Sequence, residues 1–220
     1  PSDEVTRQFM AAQDREADWS PLASDPDAEY AECYSINLCE LEPLAACPNS
    51  PDNVKPVKEL TGIKVDQIAI GSCTNSSFAD MTKTALVLKG HKIADSVSLG
   101  ISPGSRQVLS MMAESGALTD MIDAGARILE CACGPCIGMG FSPNSKGVSL
   151  RTFNRNFLGR SGTKDGQVYL VSPETAAASA LTGYITDPTT LSPIAQPQQP
   201  DRFRINDDGI IAPLPAAEAA

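Results

Sequence analysis

The chain has 220 residues, an apolar fraction of 42% and a net charge of −10, from 27 acidic and 17 basic residues. That length can bury one sizeable core, and no apolar run approaches the ~18 residues of a membrane span. The acidic balance argues against a nucleic-acid surface, which shows as a basic domain or stripe.

Seven cysteines, an odd count in a chain of this size, read as reduced intracellular thiols, and hence a cytoplasmic protein, rather than a secreted disulfide scaffold. No secretory signal is visible, and a first residue of Pro1 reads as a processed chain or a fragment. Ser2-Asp3-Glu4 reads as a helix start with Val5, Phe9 and Met10 on its apolar side. Residues 20–32, rich in Pro, Asp and Ser, read as loop. Tyr34 to Leu44 alternates polar and apolar residues, the period of a strand. Residues 48–56 hold three prolines and read as irregular.

Strand and helix then alternate. Val65–Gly71, Val97–Ile101, Ala126–Leu129, Val148–Phe153 and Val168–Val171 read as strands. Phe78–Leu88, stopped by Gly90, reads as a helix, as do Ser105–Met112 and Leu118–Ala124 on either side of Gly116. Pro173–Leu181 is an alanine-rich helix with Ser172 as N-cap. This pattern predicts a three-layer α/β/α domain with a mostly parallel sheet. In such sheets ligands gather beyond the carboxyl ends of the strands. Residues 1–29 read as a lead-in segment, 30–187 as the domain, and 188–220 as a linker and tail, marked by Pro188, Pro193, Pro197, Pro200, Gln196, Gln198, Gln199, Pro213 and Pro215.

Two cysteine turns follow predicted strands: Gly71-Ser72-Cys73-Thr74-Asn75-Ser76 and Cys133-Gly134-Pro135-Cys136-Ile137-Gly138. Three thiolates cannot complete a structural zinc site, which takes four protein ligands. Three can hold a cubane iron–sulfur cluster and leave one iron open, whereas an electron-carrying cluster is usually closed by four. An open iron is a Lewis acid that binds a substrate oxygen. Zinc stays open only with His91 or Cys131 as fourth ligand. His91 reads as a solvated helix cap, and Cys131 as a small buried residue. A thioredoxin-type redox pair would open a long helix after the first strand, and this pair sits late. Cys33, Cys39 and Cys47 have irregular spacing and read as ordinary thiols.

From Cys131 to Lys164 there is no Asp or Glu, while Lys146, Arg151, Arg155, Arg160 and Lys164 are all present. The stretch Asn154-Arg155-Asn156-Phe157-Leu158-Gly159-Arg160 offers two guanidinium forks to carboxylates of a small anionic substrate.

These motifs, in this order, resemble the aconitase family over roughly residues 30–190, and Ser172-Pro173-Glu174 with the helix after it is similar too. The resemblance implies the family's cluster-carrying third domain, with Cys73, Cys133 and Cys136 as ligands of a [4Fe–4S] cluster. It implies Arg155, Arg160 and Asn154 as substrate-binding residues. The activity implied is that of an aconitate hydratase of the tricarboxylic acid cycle, interconverting citrate and isocitrate through cis-aconitate. The Gly-Pro within the cysteine pair favours this over the related dehydratases, homoaconitase and isopropylmalate dehydratase, which stand as the alternative with a non-catalytic metal-binding module. The implied partners are a tricarboxylic acid substrate and the remaining aconitase domains, with no nucleic acid and no membrane. The catalytic base is expected in a missing domain, so catalysis by this chain alone is not expected. Arg151 matches no family ligand, and its replacement is expected to be mild.

Overall fold

Short runs of buried apolar residues separated by capped helices give the elements in chain order. They are α1 (Glu4–Ala12), β1 (Leu44–Ala46), β2 (Val54–Pro56), α2 (Val57–Leu60), β3 (Gln67–Gly71), α3 (Phe78–Leu88), β4 (Ser98–Ser102), α4 (Arg106–Ser115), α5 (Ala117–Ala124), β5 (Arg127–Ile128), β6 (Val148–Arg151), β7 (Gln167–Leu170) and α6 (Pro173–Thr182). The computed structural model describes residues 1–191, 195–198, 200–206, 208, 211, 214 and 215. Among the linker and tail positions, Pro193, Gln199 and Pro213 lie outside the described residues. No helix among the described residues is long and apolar enough to cross a membrane.

The chain divides into two units, residues 32–199 and a smaller one of residues 1–31 with 200–220. In the smaller unit Asp3 caps α1 by accepting from the Thr6 amide. The apolar side of α1 is only partly covered: Val5 is exposed, and Phe9 meets Phe203 edge-on at 5.4 Å.

The larger unit holds a seven-stranded sheet in the order β2-β1-β7-β6-β3-β4-β5. The five strands from β7 to β5 are parallel, and β1 and β2 continue the sheet antiparallel. It is the expected three-layer α/β/α class with a mostly parallel sheet. On one face Ile68, Ile70, Leu99, Ile101 and Leu150 pack with Met81, Leu88, Met121 and the alanines of α6 in the main core. The alanines of α6 let the helix lie close to β3, since small side chains shorten the distance between layers. On the other face Ala69 packs with Phe141, brought there by the long segment after β5, and with Phe153, which follows β6. Ser77 and Asp80 form a reciprocal capping box on α3, and, as the sequence predicts, Ser172 caps α6, its hydroxyl accepting from the Thr175 amide.

Two expectations fail upstream of β3. Tyr34 to Leu44 is not a strand: only Leu44–Ala46 pairs, Leu38–Glu40 forms a 3-10 turn, and Asn37 accepts from the Cys39 amide. Alternation makes a strand only where a neighbour supplies a ladder and a core covers one face. Here Tyr34, Ile36, Leu38 and Leu41 are all exposed. Conversely, residues 48–56 are not wholly irregular, because Val54–Pro56 pairs with β1. Pro56 is tolerated there because β2 is the sheet edge.

Candidate functional site

The parallel strands place three loops at one sheet edge. Cys73 follows β3, Cys133 and Cys136 follow β5, and Asn154, Arg155 and Arg160 follow β6. Because β6, β3, β4 and β5 are consecutive and parallel, their carboxyl ends share that edge. The topology therefore gathers segments that are about eighty residues apart in sequence, at the position where open α/β sheets bind ligands.

The first turn is tightly built. Gly71 has φ +120°, and a Cβ there would lie 1.9 Å from the Ser102 carbonyl oxygen, so only glycine fits. Ser72 follows with φ +65°, the left-handed region rarely used by a residue with a side chain. Its amide donates to the Ser102 carbonyl at 2.9 Å. The Gly71 amide donates to the Thr152 hydroxyl at 2.8 Å, and the Asn75 amide group donates to the Thr152 carbonyl at 2.6 Å. Thr152 thus ties the Cys73 turn to the end of β6. Backbone strain held by such a network is common at functional turns.

The second turn is a 3-10 turn, Pro135–Ile137, ended by Gly138. Cys73 and Cys133 are exposed, and Cys136 is half-buried. Burial pushes the Cys136 thiol up; the nearby Ser72 hydroxyl opposes this, and the neighbouring Cys133 and Cys73 sulfurs push the same way. Cys136 is thus within electrostatic reach of both Cys133 and Cys73. The Ser72 hydroxyl is buried and makes no hydrogen bond of normal geometry.

Cys131 is half-buried, a little more open than expected, and burial raises its thiol while Arg106 opposes. His91 is exposed beyond the end of α3, which runs back from the carboxyl edge towards the opposite edge. It is not brought to the cysteines, so the zinc alternative gains no fourth ligand from it. Cys33 and Cys39 are exposed, and Cys47 is buried with its thiol raised chiefly by that burial.

Among the described residues no three His, Cys, Asp or Glu side chains converge on one point to ligate a single metal ion. A cubane cluster asks for something else: each thiolate takes a different iron, so the sulfurs stand around a cluster rather than around an ion. Three thiols at one edge, with no carboxylate between Cys131 and Lys164, have the soft-donor chemistry that such a group takes.

Asn154 and Arg155 are exposed and Arg160 is half-buried, with its Nε buried and without a hydrogen-bond partner. No ion pair engages Arg155 or Arg160 among the described residues. Unpaired guanidinium groups in an acid-free stretch are available to an anion.

Two residues matter more than the sequence shows. Asn156 is 1% exposed, and its amide group donates to the Cys47 carbonyl at 2.6 Å, clamping the arginine loop to the segment after β1. Its place inside the Asn-Arg-Asn run was the available signal. Arg151, whose replacement is expected from the sequence to be mild, is the bulkiest fully buried side chain among the described residues. Burial lowers its pKa to about 10, with Cys136 opposing, so it stays charged at neutral pH.

The chain is 40% identical over 188 residues to a 3-isopropylmalate dehydratase large subunit of Archaeoglobus fulgidus, covering 85% of this chain and 45% of that protein. It is 43% identical over 192 residues to a 3-isopropylmalate dehydratase large subunit of Thermotoga maritima, covering 86% of this chain and 46% of that protein. It is 45% identical over 189 residues to a probable methanogen homoaconitase large subunit of Methanosarcina mazei, covering 86% and 47%. The chain thus spans about half the length of the curated relatives it matches. The names of these relatives support the related dehydratases better than aconitate hydratase, and they lend nothing to a place in the tricarboxylic acid cycle. A profile of the aconitase family (aconitate hydratase) matches residues 55–183, more than half of the chain and all three loops of the site, and the chain belongs to that family.

Proposed function

We propose that this chain is the cluster-carrying part of a hydro-lyase that removes and re-adds water on a small hydroxy-acid with two or three carboxylates. The 3-isopropylmalate and homoaconitase types are favoured, as the relatives are named. Carrying the reading is the meeting of three thiols and two unpaired arginines at one sheet edge, within a stretch free of acidic residues.

Cys73, Cys133 and Cys136 would hold a [4Fe–4S] cluster, and when bound it supplies a Lewis-acidic iron that weakens the substrate's C–O bond. Arg155 and Arg160 bind substrate carboxylates and fix which carbon faces the site, and Asn154 adds a hydrogen bond at the rim. Asn156 and Thr152 hold the two loops in register. No residue of this chain is assigned as the base that takes the carbon-bound proton. We place that group in a partner small subunit, since the relatives are named large subunits, or elsewhere in the longer chain.

The test is anaerobic reconstitution of the full chain with iron and sulfide, with and without its small subunit. Isocitrate, homoisocitrate and 3-isopropylmalate are then offered, and the ultraviolet absorbance of the new C=C bond is followed. Cys73→Ser, Cys133→Ser and Cys136→Ser should each abolish cluster binding, whereas Cys131→Ser should retain about four irons per chain. Equal iron loss in Cys131→Ser and Cys133→Ser would overturn the ligand set.

A further inference from the structure

Arg151 is a buried cation that pairs with no carboxylate among the described residues. It ends β6 on the face shared with Ser149, and across the ladder Gln67 and Ala69 stand opposite these two residues. All of its hydrogen bonds are to neutral oxygens. Nη1 donates to the Pro135 carbonyl at 2.5 Å, Nη2 to the Phe141 carbonyl at 2.7 Å and to Gln67 Oε1 at 3.0 Å, and Nε to Ser149 Oγ at 3.2 Å. Its guanidinium carbon lies 5.4 Å from the Phe153 ring centroid.

Two of these partners decide what the residue is for. Pro135 lies between Cys133 and Cys136, and Phe141 lies at the far end of the same loop. One rigid fork therefore grips the cysteine turn at its centre and at its exit. Gln67 in turn is fixed by donating to the Ser142 carbonyl at 2.9 Å and accepting from the Ser149 hydroxyl at 3.0 Å. A neutral side chain could satisfy such carbonyls at far smaller desolvation cost. The retained charge calls for a nearby anion, and the negative group that this edge can offer is the thiolate set.

We propose that Arg151 is a positioning residue for the iron–sulfur site: its fork fixes the Cys133–Cys136 turn, and its buried charge offsets the negative charge that three thiolates bring to the cluster. This rests on the reading of those cysteines as cluster ligands. Net charge close to a cluster sets its reduction potential. A buried positive charge favours the reduced, more negative form and so raises the potential.

The experiment is a reductive titration of the reconstituted full chain, followed by the electron paramagnetic resonance of the reduced cluster, with iron content and circular dichroism measured in parallel. Arg151→Met should shift the midpoint to lower potential and lose cluster several-fold faster in air. Arg151→Lys keeps the charge without the planar fork; its potential should stay near the parent value while cluster loss is still accelerated. Gln67→Glu leaves the arginine in place but neutralises it, and should lower the potential in a folded chain even if Arg151→Met fails to fold. An unchanged midpoint in folded, cluster-loaded Gln67→Glu overturns the electrostatic role. Air stability of Arg151→Lys equal to the parent overturns the anchoring role. A parent chain that binds no cluster overturns both this proposal and the ligand assignment beneath it, an outcome distinct from variants that merely match a loaded parent.

Discussion

Arg155 and Arg160 sit on the same loop but in different settings, and a conservative substitution separates them. Arg155 is exposed, whereas Arg160 is half-buried with an unpartnered Nε. Lysine keeps the charge of either but loses the planar two-pronged donor that matches a carboxylate. Charged hydrogen bonds of this kind contribute about 1.5–3 kcal/mol each, so kcat/KM should fall about tenfold to a hundredfold in each Lys variant, with iron content unchanged. The fall should be larger for Arg160→Lys, because a desolvated donor loses more when its acceptor is mismatched. Steady-state kinetics with parallel iron analysis check this; loss of iron along with activity would move these residues from substrate binding to structure. At this scale the placement of the motif residues was legible, because each turn follows a short apolar run that reads as a strand. Arg151 was not. Alternation along β6 puts it on the face of Ser149, but what covers that face is set by the segment after β5, and the sequence does not show how that segment folds back.

The β3 turn makes an element-level test possible because its glycine is required by contact as well as by φ. Gly71→Ala would drive a methyl group into the Ser102 carbonyl and strain a backbone at φ +120°. The cost is about 2–4 kcal/mol, read as a fall in Tm. Gly90 also has a positive φ, +73°, but a Cβ there meets nothing within 4 Å, so Gly90→Ala should cost only about 1 kcal/mol. Gly71→Ala should also lose the cluster, since Cys73 is two residues on, while Gly90→Ala should keep it. Comparable damage from both would mean that the turn is not the strained element argued for. Elements from β3 onward were legible for a related reason: strong caps and buried runs agree with one another there. Ser77 and Asp80 start α3, Gly116 divides α4 from α5, and Ser172 with Pro173 starts α6. The segment 34–43 has the period of a strand but no ladder partner among the described residues, and period alone could not reveal that.

Over the whole domain, the fold and the site draw on opposite faces of one sheet. The main core lies on the helical side, where Ile68, Ile70 and Leu150 meet α3, α5 and α6. The apolar cluster on the other side is smaller among the described residues: Ala69, Phe141 and Phe153, with Leu129 and Cys136 at their margin, and Phe141 and Cys136 belong to the segment that carries the cysteines. Few buried apolar contacts and much exposed backbone mark the low-stability end of a structure. Removing the cluster with an oxidant and a chelator should therefore loosen one side without unfolding the other. In hydrogen exchange, amides of β3, β4, β6 and α3 should keep their protection. Those of residues 131–140 should exchange about tenfold faster or more, because the turn then depends on Arg151, Ser142, Arg127 and a few backbone bonds. The Cys73 turn should change less, since Thr152, Asn75 and the Ser102 carbonyl hold it from the sheet side. Global loss of protection on cluster removal would show that the cluster, rather than the helical core, stabilises the domain, and the division of labour between the two faces would have to be abandoned.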